Sequence, residues 1–302
     1  MGIPLVSIAL CTYNGERFLK EQLDSLINQD YPSIEIIIVD DCSTDRTLEI
    51  LNQYSSQHSF IKVVQNSQNL GYKQNFEKAI ALCEGDYIAL SDQDDIWQPN
   101  KISLLSENIG EHILIYHDSE FIDETGLSLN KKMSDIVNLY SGKHPEAFVF
   151  FNSVSSHALM FKKELKKHLE RFPKYINHDA WIGFVAANIG SLKILNLSLV
   201  KYRQHSHSST DILKRKEGAR KKGKTPVVEV LKEFSAFTSM RSDILINELY
   251  AFYDSKYGFS IKLFYFLLSN YERFFPIYKK PFLSKLNFAI KHSKIGNKVN
   301  TN

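Results

Sequence analysis

The first hundred residues alternate short β-rich runs with helical patterns, and this alternation constrains the fold more than any other feature. Apolar residues recur at helical spacing from Leu19 to Ile27 and again from Phe76 to Cys83, which places each set on one helix face. Such alternation predicts βαβ units around a parallel sheet. The predicted strands are Val6–Thr12, Ile34–Asp40, Ile61–Gln65 and residues 87–90.

The helix after the second strand has a start signal at Ser43, Thr44 and Asp45, a hydroxyl cap followed by an acid. Beyond Asp95 the pattern is looser, and residues 130–150 are expected to form a mobile loop. The remaining expected strands and helices are a helix from Pro99 to about Ile109, strands at 112–116, 157–161 and 192–203, a basic helix at 162–172, and a helix from near Asp179 to Gly190.

Composition excludes several classes of protein. With 43% hydrophobic and 24% charged residues, the chain is neither a disordered nor a fibrous protein. Its three cysteines, Cys11, Cys42 and Cys83, lack the spacing of a metal site and are too few for a disulfide framework. The sequence shows no signal peptide and no apolar run near the roughly 20 residues that span a bilayer. A cytoplasmic location is therefore expected.

Charge divides the chain at about residue 210. Residues 211–302 hold 18 Lys and Arg against 8 Asp and Glu, whereas residues 1–210 hold 19 against 26. The last 92 residues also carry 16 of the 35 Phe and Tyr side chains. We therefore expect a catalytic domain at 1–210 and a basic, aromatic-rich helical tail at 211–302. The tail either docks on anionic lipid headgroups or forms a helical subdomain with its own core.

Acidic residues follow two of the predicted strands directly, as Asp40-Asp41 and as Asp92-Gln93-Asp94-Asp95. The carboxyl ends of parallel strands are where α/β sheets bind ligands, and clustered carboxylates there call for a cation. Mg²⁺ bound with substrate phosphates fits this pattern, although no glycine-rich phosphate loop is present. The alternatives are a turn cap for Asp40-Asp41 and a phosphatase nucleophile for the second cluster, while a calcium loop lacks its required residues at Ile96 and Trp97.

Four motifs in order resemble family-2 glycosyltransferases over roughly residues 4–207. They are the ten residues from Val6 to Gly15, the eight from Ile38 to Asp45, Asn69-Leu70-Gly71, and the seven from Ser91 to Trp97. The Asp-Gln-Asp-Asp-Ile-Trp form is similar to bacterial rhamnosyltransferases of that family. The resemblance implies an α/β GT-A fold, a Rossmann-like mixed sheet flanked by helices with the helical tail as an extension. It also implies a nucleoside-diphosphate sugar, Mg²⁺ or Mn²⁺, and inversion at the anomeric carbon.

Carried over residue by residue, the resemblance assigns roles at the nucleotide and the metal. It places Thr12, Tyr13 and Glu16 at the nucleotide, Asp40 at the base, and Asp92 at the ribose or donor sugar. Asp94 would hold the metal, and Asp95 would support the loop or the sugar. His205, with His207 in reserve, would be the second metal ligand, because imidazole suits Mn²⁺. A surface or capping histidine is the alternative.

An inverting transfer also needs a base for the acceptor hydroxyl, and Asp179 matches the position in the family. Its alternative role is a helix N-cap. His178 stands where the family often has Glu, His157 has no assigned role, and Arg203 is either a diphosphate ligand or a surface charge.

The predicted function is an inverting glycosyltransferase of bacterial cell-surface polysaccharide assembly. The donor would be dTDP-rhamnose or a UDP-hexose, and the acceptor a glycan or a polyprenyl-diphosphate-linked glycan. The enzyme would lie in the cytoplasm or on the inner face of the membrane, and nucleic acid is not an expected partner. The alternatives are a catalytically silent relative that binds nucleotide-sugar or glycan, and a metal-dependent phosphotransferase with Asp92 or Asp94 as nucleophile.

Overall fold

The computed structural model describes residues 2–205, 227–237, 243–255 and 258–295. Its sheet contains the four predicted parallel strands, whose bounds confirm the sequence prediction to within one residue. β1 pairs with both β2 and β4, and β2 pairs with β3, so their carboxyl ends share one edge. The four strands are β1 (Val6–Thr12), β2 (Ile34–Asp40), β3 (Ile61–Gln65) and β4 (Tyr87–Ser91).

The second part of the sheet is mixed, as expected. It comprises β5 (Ile96–Trp97), β6 (Leu114–Ile122), β7 (Ser128–Lys132), β8 (Leu159–Lys162) and β9 (Leu192–Arg203). β8 is antiparallel to both β4 and β6, and β6 is parallel to β9. The strand order is β3-β2-β1-β4-β8-β6-β9-β5, with β7 paired to β6. Because β5 pairs with the end of β9, the segment after β9 lies beside the loop that precedes β5.

Helices cover both faces of the sheet. They are α1 (Leu19–Ile27), α2 (Thr47–Gln57), α3 (Tyr72–Leu82), α4 (Lys101–Asn108) and α5 (His178–Ile189). The buried side chains of α1, α2 and α4 share one core cluster with Ile8 and Ile36, whereas those of α3 and α5 share another with Ala9 and Ile37. Alternating strand residues therefore point to opposite helical layers, which explains why β1 and β2 are almost continuously apolar.

Two predicted helices differ from the structure. α2 begins at Thr47 rather than directly after Ser43, because the Ser43 hydroxyl donates to Asp40 instead of capping the helix. The basic segment 162–172 forms a 3-10 helix at Lys163–His168 in place of an α-helix. Here the Lys166 amine donates to the last carbonyls of α3, and Leu165 is buried. Tertiary contacts thus override the local helical pattern.

Residues 130–150 are not the mobile loop expected from the sequence. They contain β7 and two short 3-10 helices, and they bury Tyr140 and Phe148. The Tyr116 hydroxyl donates to the Tyr140 carbonyl at 2.8 Å. Gly183 of α5 faces the Phe148 ring so closely that a Cβ would lie 2.6 Å from it. This segment is therefore part of the core under α5.

The described part of the tail is helical and packs on the rest of the protein. Its elements are α6 (Val227–Ser235), α7 (Asp243–Ser255), β10 (Gly258–Phe259), α8 (Ile261–Ser269), α9 (Tyr271–Phe274), α10 (Phe282–His292) and β11 (Lys294–Ile295). Phe150 and Phe151 contact aromatic rings of the tail, and Asn138 donates its backbone N–H to Ile277. The hydrophobic core therefore continues from the sheet into the tail. Within the described ranges, no helix combines the length and apolar character needed to cross a bilayer.

Candidate active site

A cleft of about 620 Å³ opens at the carboxyl edge of β1, β2 and β4. Its walls come from the loops after these strands, from the start of α3 and from the end of β9. The cleft is therefore at the edge where an α/β sheet binds ligands. The lining residues are Cys11, Thr12, Tyr13, Asn14, Gly15, Arg17, Phe18, Asp41, Asn69, Gly71, Tyr72, Asn75, Phe76, Asp92, Gln93, Asp94, Tyr202 and His205.

The loops after β1 and β2 are tied together by polar contacts. Thr12 donates its hydroxyl to Asp40 Oδ1 at 2.9 Å, and Asn14 Oδ1 accepts the backbone N–H of Thr44 at 2.8 Å. The Gly15 N–H donates to Thr47 Oγ1 at 2.8 Å. Asn14 has a positive φ of 46°, a conformation that asparagine tolerates better than most residues. These bonds fix the floor of the cleft.

Asp41 organises the neighbouring Asn69-Leu70-Gly71 turn. Its Oδ1 accepts the N–H of Leu70 and its Oδ2 that of Gly71, both at 2.8 Å. Gly71 has a φ of 83°, which favours glycine. The carboxylate therefore holds the turn that begins α3 against the second strand.

Gln93 joins the acidic loop to the first loop. Its side-chain carbonyl accepts the Tyr13 N–H at 2.8 Å, and its amide donates to the Tyr13 carbonyl at 3.1 Å. A Cβ on Gly15 would lie 2.4 Å from Gln93 Oε1, so only glycine fits there without displacing this side chain. The middle residue of the Asp-Gln-Asp motif thus fixes the acidic loop to the loop after β1, a role that was not predicted from the sequence.

Asp92 and Asp95 both lie near one nitrogen of a buried histidine. His157 Nδ1 is 3.7 Å from a carboxylate oxygen of each, and its Nε2 contacts Ser119 Oγ at 2.8 Å. Burial alone would raise the pKa of Asp92, but its interactions with His157, His178 and Ser156 together outweigh burial and leave that pKa below its ordinary value. Asp92 is therefore an ionised acceptor at the cleft.

Asp95 lies beneath the loop and is fully buried. Its Oδ1 accepts the backbone N–H of Arg203 at 2.9 Å, while its Oδ2 has no hydrogen-bond partner among the described residues. Burial and the neighbouring Asp94 and Asp92 raise the pKa of Asp95. Lys101 is also buried nearby, and its amine donates a hydrogen bond to the His157 carbonyl. Burial lowers the pKa of this lysine.

Asp94 and His205 meet inside the cleft. Their Oδ2 and Nε2 atoms are 2.8 Å apart, and the His205 ring lies 4.9 Å from that of Phe18. Carboxylate and imidazole side chains are suitable ligands for Mn²⁺, and the carboxylate also suits Mg²⁺. The side chains present therefore fit a divalent cation at this point of the cleft.

A second group of conceivable ligands is Asp92, Asp95 and His157, whose ligand atoms lie within 4.8 Å of one another. Asp95 and His157 are buried and do not line the cleft. Only Asp92 of the three lines the cleft, so a cation held there would face the cleft through that one carboxylate. This group fits a supporting network better than a nucleotide-bound cation.

Arg203 is neither a surface charge nor available to a diphosphate. It is 1% exposed, and its guanidinium donates to the carbonyl oxygens of Asp94 and Glu124 and to the Glu21 carboxylate. The central guanidinium carbon of Arg203, Cζ, also lies 4.7 Å from the Phe18 ring centroid. Arg203 therefore locks the acidic loop to α1 and to the β6–β7 turn.

Asp179 lies in the first turn of α5 and does not line the cleft itself; Tyr72, which does, donates its hydroxyl to Asn177 Oδ1 at 3.3 Å, two residues before Asp179. The preceding His178 ring stacks on Phe76, which lines the cleft, with centroids 4.5 Å apart. Both ring nitrogens of His178 are buried without a hydrogen-bond partner in the described part of the chain. Burial raises the pKa of Asp179 above that of an ordinary aspartate, although His178 and the Ala180 N–H oppose this shift. A more basic carboxylate accepts a proton more readily.

The structure brings together most of the predicted site residues. Thr12, Tyr13, Asp92, Asp94 and His205 line the cleft. Among the residues described, the predicted base Asp179 does not line it and lies in the first turn of α5. Asp40 and Glu16 do not line it either: Asp40 is buried and accepts hydrogen bonds from Ser43 and Thr12, and Glu16 accepts the Arg46 N–H. Their contacts with a nucleotide stay predictions, and His207 lies outside the described residues.

Sequence reasoning also missed Phe18, Tyr72 and Asp41 in the lining. Asp41 and the Asn69-Leu70-Gly71 turn belong to two of the recognised motifs, so the sequence could have indicated that they lie at the site. The hydrogen bonds between them are visible only in the structure.

Comparison with known proteins agrees with this geometry. The family model for glycosyl transferase family 2 matches residues 7–180. An uncharacterized glycosyltransferase of Methanocaldococcus jannaschii is 32% identical over 67% of this chain and 72% of its own. Bacillus subtilis TuaG, named for teichuronic acid biosynthesis, is 39% identical over 33% of this chain and 39% of its own.

Among solved structures, S. aureus TarS in complex with UDP-GlcNAc superposes with a TM-score of 0.61. It is 18% identical, and the match covers 96% of this chain and 89% of TarS. At this identity the likeness concerns the fold, and it confirms the expected GT-A architecture. With the family match over more than half of the chain, the motifs and the cleft lead to one conclusion: this protein belongs to glycosyl transferase family 2.

Proposed function

We propose that the cleft binds a nucleoside-diphosphate sugar and that the protein transfers the sugar, with inversion, to an acceptor hydroxyl. The observation that carries this proposal is the meeting of Asp94 and His205 in the cleft. Asp94 and His205 would hold Mg²⁺ or Mn²⁺. When bound, the cation would neutralise the charge that develops on the departing diphosphate.

The other residues act on the donor and the acceptor. Asp92, whose pKa its neighbours His157, His178 and Ser156 lower, accepts hydrogen bonds from hydroxyl groups of the ribose or donor sugar. Thr12 and the 47% exposed Tyr13 ring contact the nucleotide. Glu16, in the loop after β1, also acts at the nucleotide, and Asp40 acts at the base through Thr12, whose hydroxyl donates to it. Asp179 removes the proton of the attacking hydroxyl, since its raised pKa suits a general base.

The proposed donor is dTDP-rhamnose or a UDP-hexose, and the acceptor is a glycan or lipid-linked glycan of the bacterial cell surface. Support comes from the teichuronic acid name of TuaG and from the UDP-GlcNAc bound by TarS.

We assign the catalytic domain to 1–210 and membrane docking to the tail. The tail exposes Tyr265, Phe282 and Leu283 among lysines. Cosedimentation with phosphatidylglycerol vesicles tests the docking: it should weaken when Phe282 and Leu283 are both replaced by serine, and unchanged binding would contradict it.

The function itself is tested by incubating the purified protein with a panel of dTDP- and UDP-sugars and Mn²⁺ or Mg²⁺. Nucleoside diphosphate should be released from one donor by the wild type. Asp94→Asn should abolish this release, and Asp30→Asn, at an exposed aspartate outside the cleft, should retain it. Nucleotide binding without turnover would instead indicate a silent relative, and a trappable aspartyl phosphate would indicate a phosphotransferase.

A further inference from the structure

A second, larger cavity adjoins the cleft. It measures about 1110 Å³, and it shares Gly71 and Tyr72 with the first. Its walls are α3, residues 170–174, Trp181 of α5, and the end of α6 with the residues after it. We call it the α3–α6 groove. The tail therefore contributes one wall of a cavity that continues from the donor cleft.

Charged side chains from two helices hold the wall of this groove. Lys73 of α3 donates to the carbonyls of residues 173 and 174, at 2.9 and 2.8 Å. Glu77 of α3 accepts the backbone N–H of residue 172, and Glu233 of α6 accepts that of residue 175. This segment leads directly into α5, which carries Asp179. The groove is thus a built feature whose wall is connected to the proposed base.

Tyr72 marks the junction of the groove and the cleft. Its side chain is 50% exposed, and its hydroxyl donates to Asn177 Oδ1 at 3.3 Å, one residue before α5. Partial burial raises the pKa of Tyr72, and the nearby negative charge of Asp179 raises it further. A molecule lying in the groove therefore reaches the donor cleft on the side where Asp179 lies.

We propose that the α3–α6 groove binds the acceptor and that the acceptor part in contact with it is a neutral saccharide. This inference rests on the proposed glycosyl transfer and adds the place and chemical class of the second substrate. The groove is at least as large as the usual small-molecule pocket, which leaves room for more than one sugar ring.

The charges and aromatic side chains of the groove favour a neutral saccharide over an anionic group. The lining holds three cations, Lys73, Arg171 and Lys174, and three anions, Glu77, Glu170 and Glu233. A diphosphate would therefore meet no excess of positive charge. Hydroxyl groups can bond to either sign of charge. The apolar faces of sugar rings can pack on the half-exposed ring of Tyr72 and on the partly exposed ring of Phe237, both of which line the groove.

Filling the groove tests this proposal. Ala236 lines the groove and is exposed, so Ala236→Trp introduces bulk without disturbing a buried core. Ala236→Gln is the milder version. Ala81→Trp is the matched control, because Ala81 is an exposed alanine on α3 outside the groove. For each protein, transfer to neutral mono- and oligosaccharides, donor hydrolysis without acceptor, and thermal unfolding are measured with the donor that the wild type uses.

The expected result is a loss of kcat/KM for the saccharide of roughly tenfold or more in Ala236→Trp and a smaller loss in Ala236→Gln. Donor hydrolysis and the midpoint of unfolding should stay at wild-type values, as should all activities of Ala81→Trp. Wild-type transfer by Ala236→Trp would overturn the proposal. Donor hydrolysis without transfer to any neutral saccharide would overturn it as well, whereas absence of donor hydrolysis in the wild type would contradict the proposed function itself.

Discussion

Two regions of the molecule are stabilised by different kinds of contact. The donor edge consists of the loops that form the cleft after β1, β2 and β4, and the tail side consists of the helical tail and the residues on which it packs. At the donor edge, side chains such as Asn14 and Gln93 bond to the backbone of other loops. On the tail side, Phe150 packs on the rings of Phe274, Phe275 and Phe288, 5.3 to 5.9 Å away. Hydrogen bonds are directional and fix angles, whereas apolar packing is not directional and depends on shape and area. Hydrogen bonds between polar side chains and backbone therefore position the residues of the cleft, and aromatic packing attaches the tail to the rest of the protein.

The largest effect should come from the proposed base at the border between these regions. Asp179→Asn keeps the size of the side chain but removes the proton acceptor, so kcat for transfer should fall by roughly 100- to 10,000-fold. The affinity for the donor should hardly change, because Asp179 acts on the acceptor. Steady-state kinetics with the identified donor check this, and a rise in donor KM with unchanged kcat would contradict the assignment.

The pH profile examines the same residue in the wild type. Transfer needs the ionised carboxylate, so kcat should rise with pH as Asp179 loses its proton. Since burial raises the pKa of Asp179, this rise should lie above the ordinary aspartate value of about 3.9. It should be absent from the residual activity of Asp179→Asn.

Arg203→Met examines the polar ties of the donor edge. The variant leaves the carbonyls of Asp94 and Glu124 without their donor, so the free energy of unfolding should fall by about 3 kcal/mol. Metal-dependent nucleotide binding should weaken too, because the loop with Asp94 is no longer held. Denaturant titration measures the free energy of unfolding, and titration calorimetry measures the nucleotide binding. Arg46→Met, at an exposed ion pair with Glu49, is the control and should have little effect.

Phe150→Ala examines the aromatic packing of the tail side. Phe150 is half-buried among tail rings, so its loss should lower the free energy of unfolding by about 2 kcal/mol. Proteolysis of the tail should become faster while donor hydrolysis stays near the wild-type rate. Tyr265→Ala, at an exposed aromatic of the same tail, should change neither. Equal loss of nucleotide binding and tail packing would show that the two regions are not separable.

The smallest effect concerns Cys42, in the loop between β2 and α2. It has a φ of 62°, in the left-handed region where a side chain is strained. Cys42→Gly relieves this strain but also increases the conformational entropy of the unfolded chain. The net increase in the free energy of unfolding should therefore be below about 1 kcal/mol. Cys42→Val should be destabilising instead. Equal stability of the two variants, measured by denaturant titration, would contradict a strained loop.

Much of the first hundred residues could be predicted, because the patterns that indicate their strands, helices and acidic loops lie within short segments of the sequence. The apolar runs of β1 and β2 and the helical spacing of α1 and α3 each lie within a short segment, and the predicted bounds are confirmed closely. Asp92 and Asp94 were recognised for the same reason, since acids directly after a strand are visible in the chain itself. The pairing of Asp94 with His205, 111 residues apart, needed the family resemblance.

The second half was predicted less well because its contacts are long-range. The insertion of β8 between β4 and β6 and the packing of residues 130–150 under α5 leave no periodic pattern in the sequence. The burial of Arg203 was also missed, because its partners come from Glu21, Asp94 and the turn at Glu124. A charged residue has no local mark that distinguishes a buried clamp from a surface charge.

The sequence by itself determined the parallel half of the sheet, the acidic loops at its edge and the family, because periodicity and short motifs are properties of neighbouring residues. Only the tertiary structure decided that Gln93 and Arg203 hold the acidic loop and that His157 Nδ1 lies near both Asp92 and Asp95. It also decided that α6 completes a groove beside the donor cleft. These features depend on side chains far apart in the chain, and their distances are set by how the helices and strands pack.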